Sequence, residues 1–212
     1  MKMRNLTGII IMVIGLVWSP SAKAMDDQSK KEVVAFVENV AKDVIAIIDS
    51  TSPQEAKRHQ LEGIFVRYVD VDWIARFVTG QHWRKLSEEE QNVYVELYQK
   101  YIVRSYVSKF AKYIKHDYKI KNVEERANGY YIVAIDLLGQ QESLSFTYRL
   151  KRTPNGFQIR DLISEGVSIL STQRSEFTRI IDQEGFEALL SILKNKVDSV
   201  SKLQHGVLNP VG

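Results

Sequence analysis

The run Ser143-Leu144-Ser145-Phe146-Thr147-Tyr148-Arg149-Leu150 alternates without a break: Leu144, Phe146, Tyr148 and Leu150 fall on one side, and Ser143, Ser145, Thr147 and Arg149 on the other. A period of two over eight residues is a half-buried β-strand, with its apolar side on a core and its polar side in water. Just upstream, Tyr130 to Leu138 is apolar on both sides: Tyr131, Val133, Ile135 and Leu137 oppose Tyr130, Ile132 and Ala134. That pattern predicts a central strand covered on its faces. From about His116 onward Asn128-Gly129, Gly139 and Pro154-Asn155-Gly156 punctuate the chain, which predicts four strands in an antiparallel meander.

Outward from the strands the period becomes helical. Val33, Val37, Val40, Val44 and Ile47 form one stripe, with charged residues on the other faces. Pro53, preceded by Ser52 as a cap, predicts the start of a second helix running through Leu61, Ile64 and Phe65. A short third helix is predicted from Asp72 to Gly80, carrying Trp73, Ile74, Phe77 and Val78. The fourth begins at Ser87, where Glu90 completes a capping box and Glu88 and Glu89 favour the positive end of the helix dipole. Its stripe is Val95, Tyr98, Ile102, Tyr106, Phe110 and Tyr113. After Gly166 the helical pattern returns through Phe177, Ile180 and Ile181, and again from Phe186 to Val197. The expected fold class is α+β: a curved, four-stranded antiparallel sheet with helices from both chain ends covering one face.

The chain has 212 residues, 44% hydrophobic and 26% charged, which excludes a disordered or collagen-like protein. It has no cysteine, so disulfides, thiolate metal sites and cysteine nucleophiles are excluded. Met1 to Ala24 reads as a secretory signal peptide. Lys2 and Arg4 precede a thirteen-residue apolar run, Leu6 to Trp18, and Ala22-Lys23-Ala24 supplies the cleavage site. Such a run rises only about 20 Å as a helix, short of a bilayer core of roughly 30 Å. Cleavage after Ala24 and export to a bacterial periplasm are expected, leaving one domain over 25–200 and a frayed tail over 201–212. The segment holds three of the 29 basic residues and none of the 26 acidic ones, so the remainder carries no net charge. Nucleic-acid binding, which needs a surplus of cations to neutralise phosphates, loses its support.

No catalytic motif is present. His59, His82, His116 and His205 are scattered without metal-ligand spacing and read as surface residues, and no metal or cofactor is expected. Asp136 or Asp161 beside Tyr148 could form an acid–base pair in an apolar cup. The alternative is that both carboxylates pair with Arg149 or Arg160 on the outer face of the sheet.

Two blocks point further. Val71-Asp72-Trp73-Ile74-Ala75-Arg76-Phe77-Val78-Thr79-Gly80-Gln81-His82-Trp83 resembles the D-x-x-x-A-R-x-x-L-G-x-x-W segment of the MlaC, or toluene-tolerance auxiliary, family. Asp161-Leu162-Ile163-Ser164-Glu165-Gly166-Val167-Ser168 resembles its D-x-x-x-E-G-V-S block, followed in family order by Arg174-Ser175-Glu176-Phe177 and Gly185. Thr79 stands where Leu is usual, Phe157 where Trp is common and Gln173 where many members have Tyr; the first and last are expected to alter the pocket lining. The resemblance implies a fold similar to nuclear transport factor 2 and a monomeric, non-enzymatic periplasmic carrier. Its ligand would be a glycerophospholipid, held between sheet and helices. Its partners would be an outer-membrane lipoprotein complex and an inner-membrane ABC transporter with an MCE-domain subunit, and its role the maintenance of outer-membrane lipid asymmetry. The candidate lining is Ile74, Phe77, Tyr106 and Phe110 from the helices, Val133, Ile135, Leu144, Phe146 and Tyr148 from the strands, and Val167. Two other classes stay open: a small enzyme using the same cup, and an adaptor whose cup is filled by its own side chains.

Overall fold

The structure, a computed structural model, describes residues 25–113, 117–138 and 143–206; the proposed signal segment lies outside them. Helix α1 (Asp27–Asp49) is capped by Asp26, whose carboxylate accepts the amide N–H groups of Gln28 at 2.8 Å and Ser29 at 3.2 Å. Helix α2 (Gln54–Tyr68) begins differently from expectation. Pro53 is itself the capping residue, still extended at φ −55° and ψ 150°, so Ser52 sits one residue too early and no side chain caps the helix. Helix α3 (Val71–Thr79) starts one residue before Asp72 because Asp70 caps it, accepting the Trp73 amide at 3.3 Å.

Gly80, at φ +60°, turns the chain into a 3-10 segment, Gly80–Lys85. A side chain there would be strained by the backbone, and its Cβ would lie only 3.2 Å from the Arg174 guanidinium. Helix α4 (Glu88–Tyr113) carries the capping box: the Ser87 amide and hydroxyl both donate to Glu90 at 2.7 Å, and the Glu90 amide donates back to Ser87 Oγ at 3.3 Å.

Five strands follow, rather than the four expected: β1 (Asp117–Arg126), β2 (Tyr130–Leu138), β3 (Ser143–Thr153), β4 (Gly156–Ser164) and β5 (Val167–Ser168). They pair antiparallel in sequence order. The fifth was hidden because it is two residues long, folded back on β4 by a turn in which Glu165 and Gly166 adopt positive φ. The β2 strand is interior to the sheet, as its two apolar faces predicted. Bulges interrupt β1 between Ile120 and Asn122, and β4 where Ile159 opposes Leu150 but Asp161 opposes Arg149. In β4 the extra residue is Arg160, and a bulge of this kind bends a strand and re-aims a side chain.

Helix α5 (Ile169–Glu184) is capped by Ser168, and α6 (Phe186–Gly206) continues as helix into the stretch read as a frayed tail. Helices from before and after the strands reach the sheet, since α1 and α5 each pack on β4. The interior is split. One apolar core joins α3, α4, α5 and α6 through residues such as Val78, Tyr94, Tyr98, Phe177 and Leu193. The other joins the first half of α1 to the sheet through Val33, Val37, Val133 and Leu150. A domain this size normally builds one contiguous core.

Candidate functional site

Between the two cores lies a cavity of about 230 Å³. For scale, an engineered apolar cavity of about 150 Å³ stays dry and takes up benzene. Ile74, Ile102 and Leu170 line it from the helical core, and Phe146, Tyr148, Ile159 and Leu162 from the sheet. Val40 and Val44 of α1, with Leu61, Ile64, Phe65 and Tyr68 of α2, close the remaining side. The α2 residues recur at i, i+3, i+4 and i+7, the spacing of a single helical face. A second cavity of about 120 Å³ reaches under α1 toward Ile135 and Leu150. Val40, Val44, Leu137, Phe146, Tyr148 and Ile159 line both, so the two adjoin.

Polar groups around the larger cavity are few and mostly occupied. Arg160, turned by the β4 bulge, donates from Nε to Asp70 Oδ2 at 2.8 Å and from Nη1 to the Tyr130 hydroxyl at 2.9 Å. Its guanidinium also lies 4.4 Å from the centroid of Trp73. Gln173 accepts from the Tyr98 hydroxyl at 2.6 Å, and Tyr68 donates to Asp43 at 2.7 Å. Burial pushes the phenol of Tyr148 up to about 12.

Of the two carboxylates weighed as bases, Asp161 lines the larger cavity and Asp136 does not, and both are paired. Asp136 lies on the sheet face opposite Ile135, where it accepts from Ser145 Oγ at 2.7 Å and sits 3.2 Å from Lys121 Nζ. The Ser145 hydrogen bond, then Lys121, holds its carboxyl below the usual range. Asp161 is enclosed: Oδ1 accepts the Leu170 amide at 3.2 Å, and Oδ2 accepts Ser168 Oγ at 2.7 Å with Arg149 at 3.6 Å. It pairs with Arg149, as the non-catalytic alternative expected, but it is enclosed rather than on an outer face, and Asp136 pairs with Lys121 rather than with either arginine. Arg160, by contrast, pairs with Asp70. Asp161 is thus a latch that ties the end of β4 to the start of α5.

The predicted lining residues separate into groups. Ile74, Phe146 and Tyr148 line the larger cavity, and Ile135 the smaller. Val133 faces the same side as Ile135 but is sealed in the sheet core, because the first half of α1 covers it. Phe77 lies outside the cavity, stacked on Trp73 at 5.1 Å with the Arg174 guanidinium 4.6 Å from its ring centroid. Leu144 is half-buried beyond the cavity, toward the start of β3. Val167 is 60% exposed, because β5 is a two-residue edge strand. The side chains of Tyr106 and Phe110 lie outside the described residues.

Of the three departures noted above, Thr79 is buried away from the cavity, Phe157 belongs to the sheet core, and only Gln173 reaches the lining. His82 is not a surface residue: the 3-10 segment folds it against α5, where it is buried with Nε2 3.1 Å from Asp182. His59 is exposed beside Glu55 and Glu62, whereas His116 and the side chain of His205 lie outside the described residues. Among the described residues, no cluster of three or more His, Asp or Glu could hold a metal, and no helix is long and apolar enough to cross a membrane.

Sequence reasoning missed the α1 and α2 walls. The Leu61, Ile64, Phe65 and Tyr68 spacing was available as a signal, since Val66 is the only other large apolar side chain in that helix.

Fold and cavity together define an α+β protein that encloses an apolar compartment between its sheet and its helices. The chain belongs to the MlaC family: the family model described as MlaC protein matches residues 38–195. Among solved structures it is similar to a phospholipid-binding protein from Ralstonia solanacearum, determined in complex with a phospholipid. The two share 19% identity at a TM-score of 0.69, over 79% of this chain and 98% of that one. At that identity the likeness speaks for the fold.

Proposed function

We propose that this protein is a periplasmic phospholipid carrier. It sheathes glycerophospholipid acyl chains in the cavity, leaves the headgroup in water and moves lipid between an outer-membrane lipoprotein complex and an inner-membrane ABC transporter with an MCE-domain subunit. In doing so it maintains the lipid asymmetry of the outer membrane. The observation that carries this reading is the apolar cavity that the protein's own side chains leave open between two separate cores. Membership of the MlaC family supports it, as does the phospholipid held by the Ralstonia protein of similar fold.

The energetics require such a compartment. A chain of about 15 methylenes costs roughly 12 kcal/mol to expose to water, at about 0.8 kcal/mol per group. Unaided release of such a chain to water is therefore slow, and unloading needs a partner that offers the tails another apolar site. Neither Asp136 nor Asp161 has a free carboxylate oxygen turned to the cavity, so the acid–base reading gains no support from either.

Native mass spectrometry of protein recovered from the periplasm is the test. A chain beginning at Met25, with a mass increment of phospholipid size and intact ester bonds, is expected. A cavity that co-purifies with nothing, and takes up no lipid from mixed micelles, overturns the carrier reading and leaves the adaptor. Lyso-lipid or fatty acid accumulating with protein concentration revives the enzyme.

A further inference from the structure

Tyr148 is the anomaly in the cavity wall. It lines both cavities and is only half-buried, so the surface it keeps faces the void. Its hydroxyl makes no hydrogen bond to any described residue. Tyr68, in the same lining, spends its proton on Asp43, and Tyr98 and Tyr94 donate to Gln173 and to the Ala75 carbonyl. The hydroxyl is not sealed off from solvent, so an occupant that displaces water from it must bring an acceptor or leave an O–H group unsatisfied in apolar surroundings, which is costly.

Resting on the carrier reading above, we propose that the Tyr148 hydroxyl donates to an acyl carbonyl oxygen of the bound lipid, so that the cavity selects ester-linked phospholipids over ether-linked ones. A hydrocarbon chain lying along Tyr148 would leave the donor unsatisfied, whereas a glycerol ester satisfies it without adding charge. A fatty acid also carries an acyl oxygen, but its carboxylate would have to be buried beside a single neutral donor, at a far greater desolvation cost. The raised phenol keeps its proton throughout the physiological range, and the donor is therefore always armed. With Tyr148 in the wall shared by the two cavities, this contact places the ester group where they adjoin.

The test compares three probes on delipidated full-length mature protein: a diacyl phosphatidylglycerol, the dialkyl-ether lipid with the same headgroup and chain length, and the matching free fatty acid. Wild-type protein is expected to bind the diester about tenfold more tightly than the diether, the range one such hydrogen bond commands. Tyr148→Phe should lower diester affinity by about the same factor and leave diether affinity unchanged, so that the preference disappears. Retained diether binding also reports that the variant is folded. Equal binding of diester and diether by wild-type protein, as expected if a water serves the hydroxyl, overturns this inference alone. So does a preference that survives in Tyr148→Phe, or a Tyr148 dependence seen with the fatty acid only. Failure of every probe to bind wild-type protein overturns the carrier reading and this inference with it.

Discussion

Replacing Val44 with Trp tests whether the cavity is a true void in the lipid-free protein. Val44 projects from α1 into the wall shared by both cavities and is only half-buried. An unfilled volume in a core costs about 24 cal/mol per Å³. For the larger cavity of about 230 Å³ that sets a ceiling of about 5.5 kcal/mol on what filling it could recover. If the indole occupies roughly a third of the space, the delipidated variant gains about 1–2 kcal/mol, or about 3–6 °C in Tm for a domain of this length. Lipid uptake should fall at the same time, because the ring takes the place of the chain. Val78→Trp is the control: Val78 is fully buried in the helical core and lines neither cavity. Overpacking there should destabilise by at least about 1–3 kcal/mol. Thermal unfolding of both variants, delipidated and reloaded, reads the outcome. A Val44→Trp protein as destabilised as Val78→Trp would mean that the region is packed, and the compartment argument would fail.

Three further outcomes are expected. Asp161→Ala strands the Leu170 amide and the Ser168 hydroxyl inside the protein, and urea unfolding should show a loss of about 3 kcal/mol; a loss under about 1 kcal/mol would show the latch to be idle. Glu32 is held below the usual carboxylate range, chiefly by its hydrogen bond from Arg152 at 2.7 Å. Its folded pKa lies below the unfolded value, so its contribution is present above about pH 4.5 and fades as pH falls further. Glu32→Gln should therefore flatten the acid limb of a Tm–pH profile while leaving pH 6–8 unaltered in shape; an unchanged acid limb would count against the pair. Tyr148 has the opposite sign: its folded pKa is raised from 10 to about 12, so its contribution is complete below pH 10 and is lost as pH climbs from 10 toward 12. Tyr148→Phe should keep more of its stability over that alkaline interval than wild-type protein does, as followed by circular dichroism.

Where local chemistry acts alone, the chain is easily read. The Ser87–Glu90 box lies within four residues and makes the bonds its spacing predicts. The alternation in β3 survives from Leu144 to Leu150 because nothing interrupts that strand's pleat. In β4 the same reasoning slips by one residue. Arg160 is inserted opposite the Arg149–Leu150 step, so a strict period of two would send Asp161 and Leu162 to the wrong faces. Nothing in the residues between Gly156 and Ser164 announces the bulge. It is fixed by tertiary partners: the Ile159 carbonyl accepts the Asp70 amide at 3.0 Å, and Arg160 clasps the Asp70 carboxylate. The two family blocks build structure as well as giving Ile74 and Leu162 to the cavity wall. One caps and turns α3 against Arg174, whose Nη1 donates to the Phe77 carbonyl at 2.9 Å, and the other latches β4 to α5 through Asp161.

The compartment itself was hardest to see, for a physical reason. A hydrophobic pattern reports that a side chain leaves water, not what it meets when it does. Val37 and Val44 belong to one stripe of α1, yet Val37 is buried in the sheet core at the edge of the smaller cavity and Val44 lines both cavities. Leu150 and Phe146 alternate correctly on one face of β3, yet the first is fully buried and reaches only the smaller cavity, while the second is half-buried and lines both. The signature that separates them is partial burial in a place where the backbone is enclosed. The α2 helix carries it throughout: Leu61, Ile64, Phe65 and Tyr68 all face inward, but among its described residues none is fully buried. A wall of that kind has satisfied only part of the hydrophobic drive that placed it there. The surface still open is apolar, and an acyl chain is the class of partner that removes it from water without asking for more than one hydrogen bond, which Tyr148 stands ready to give.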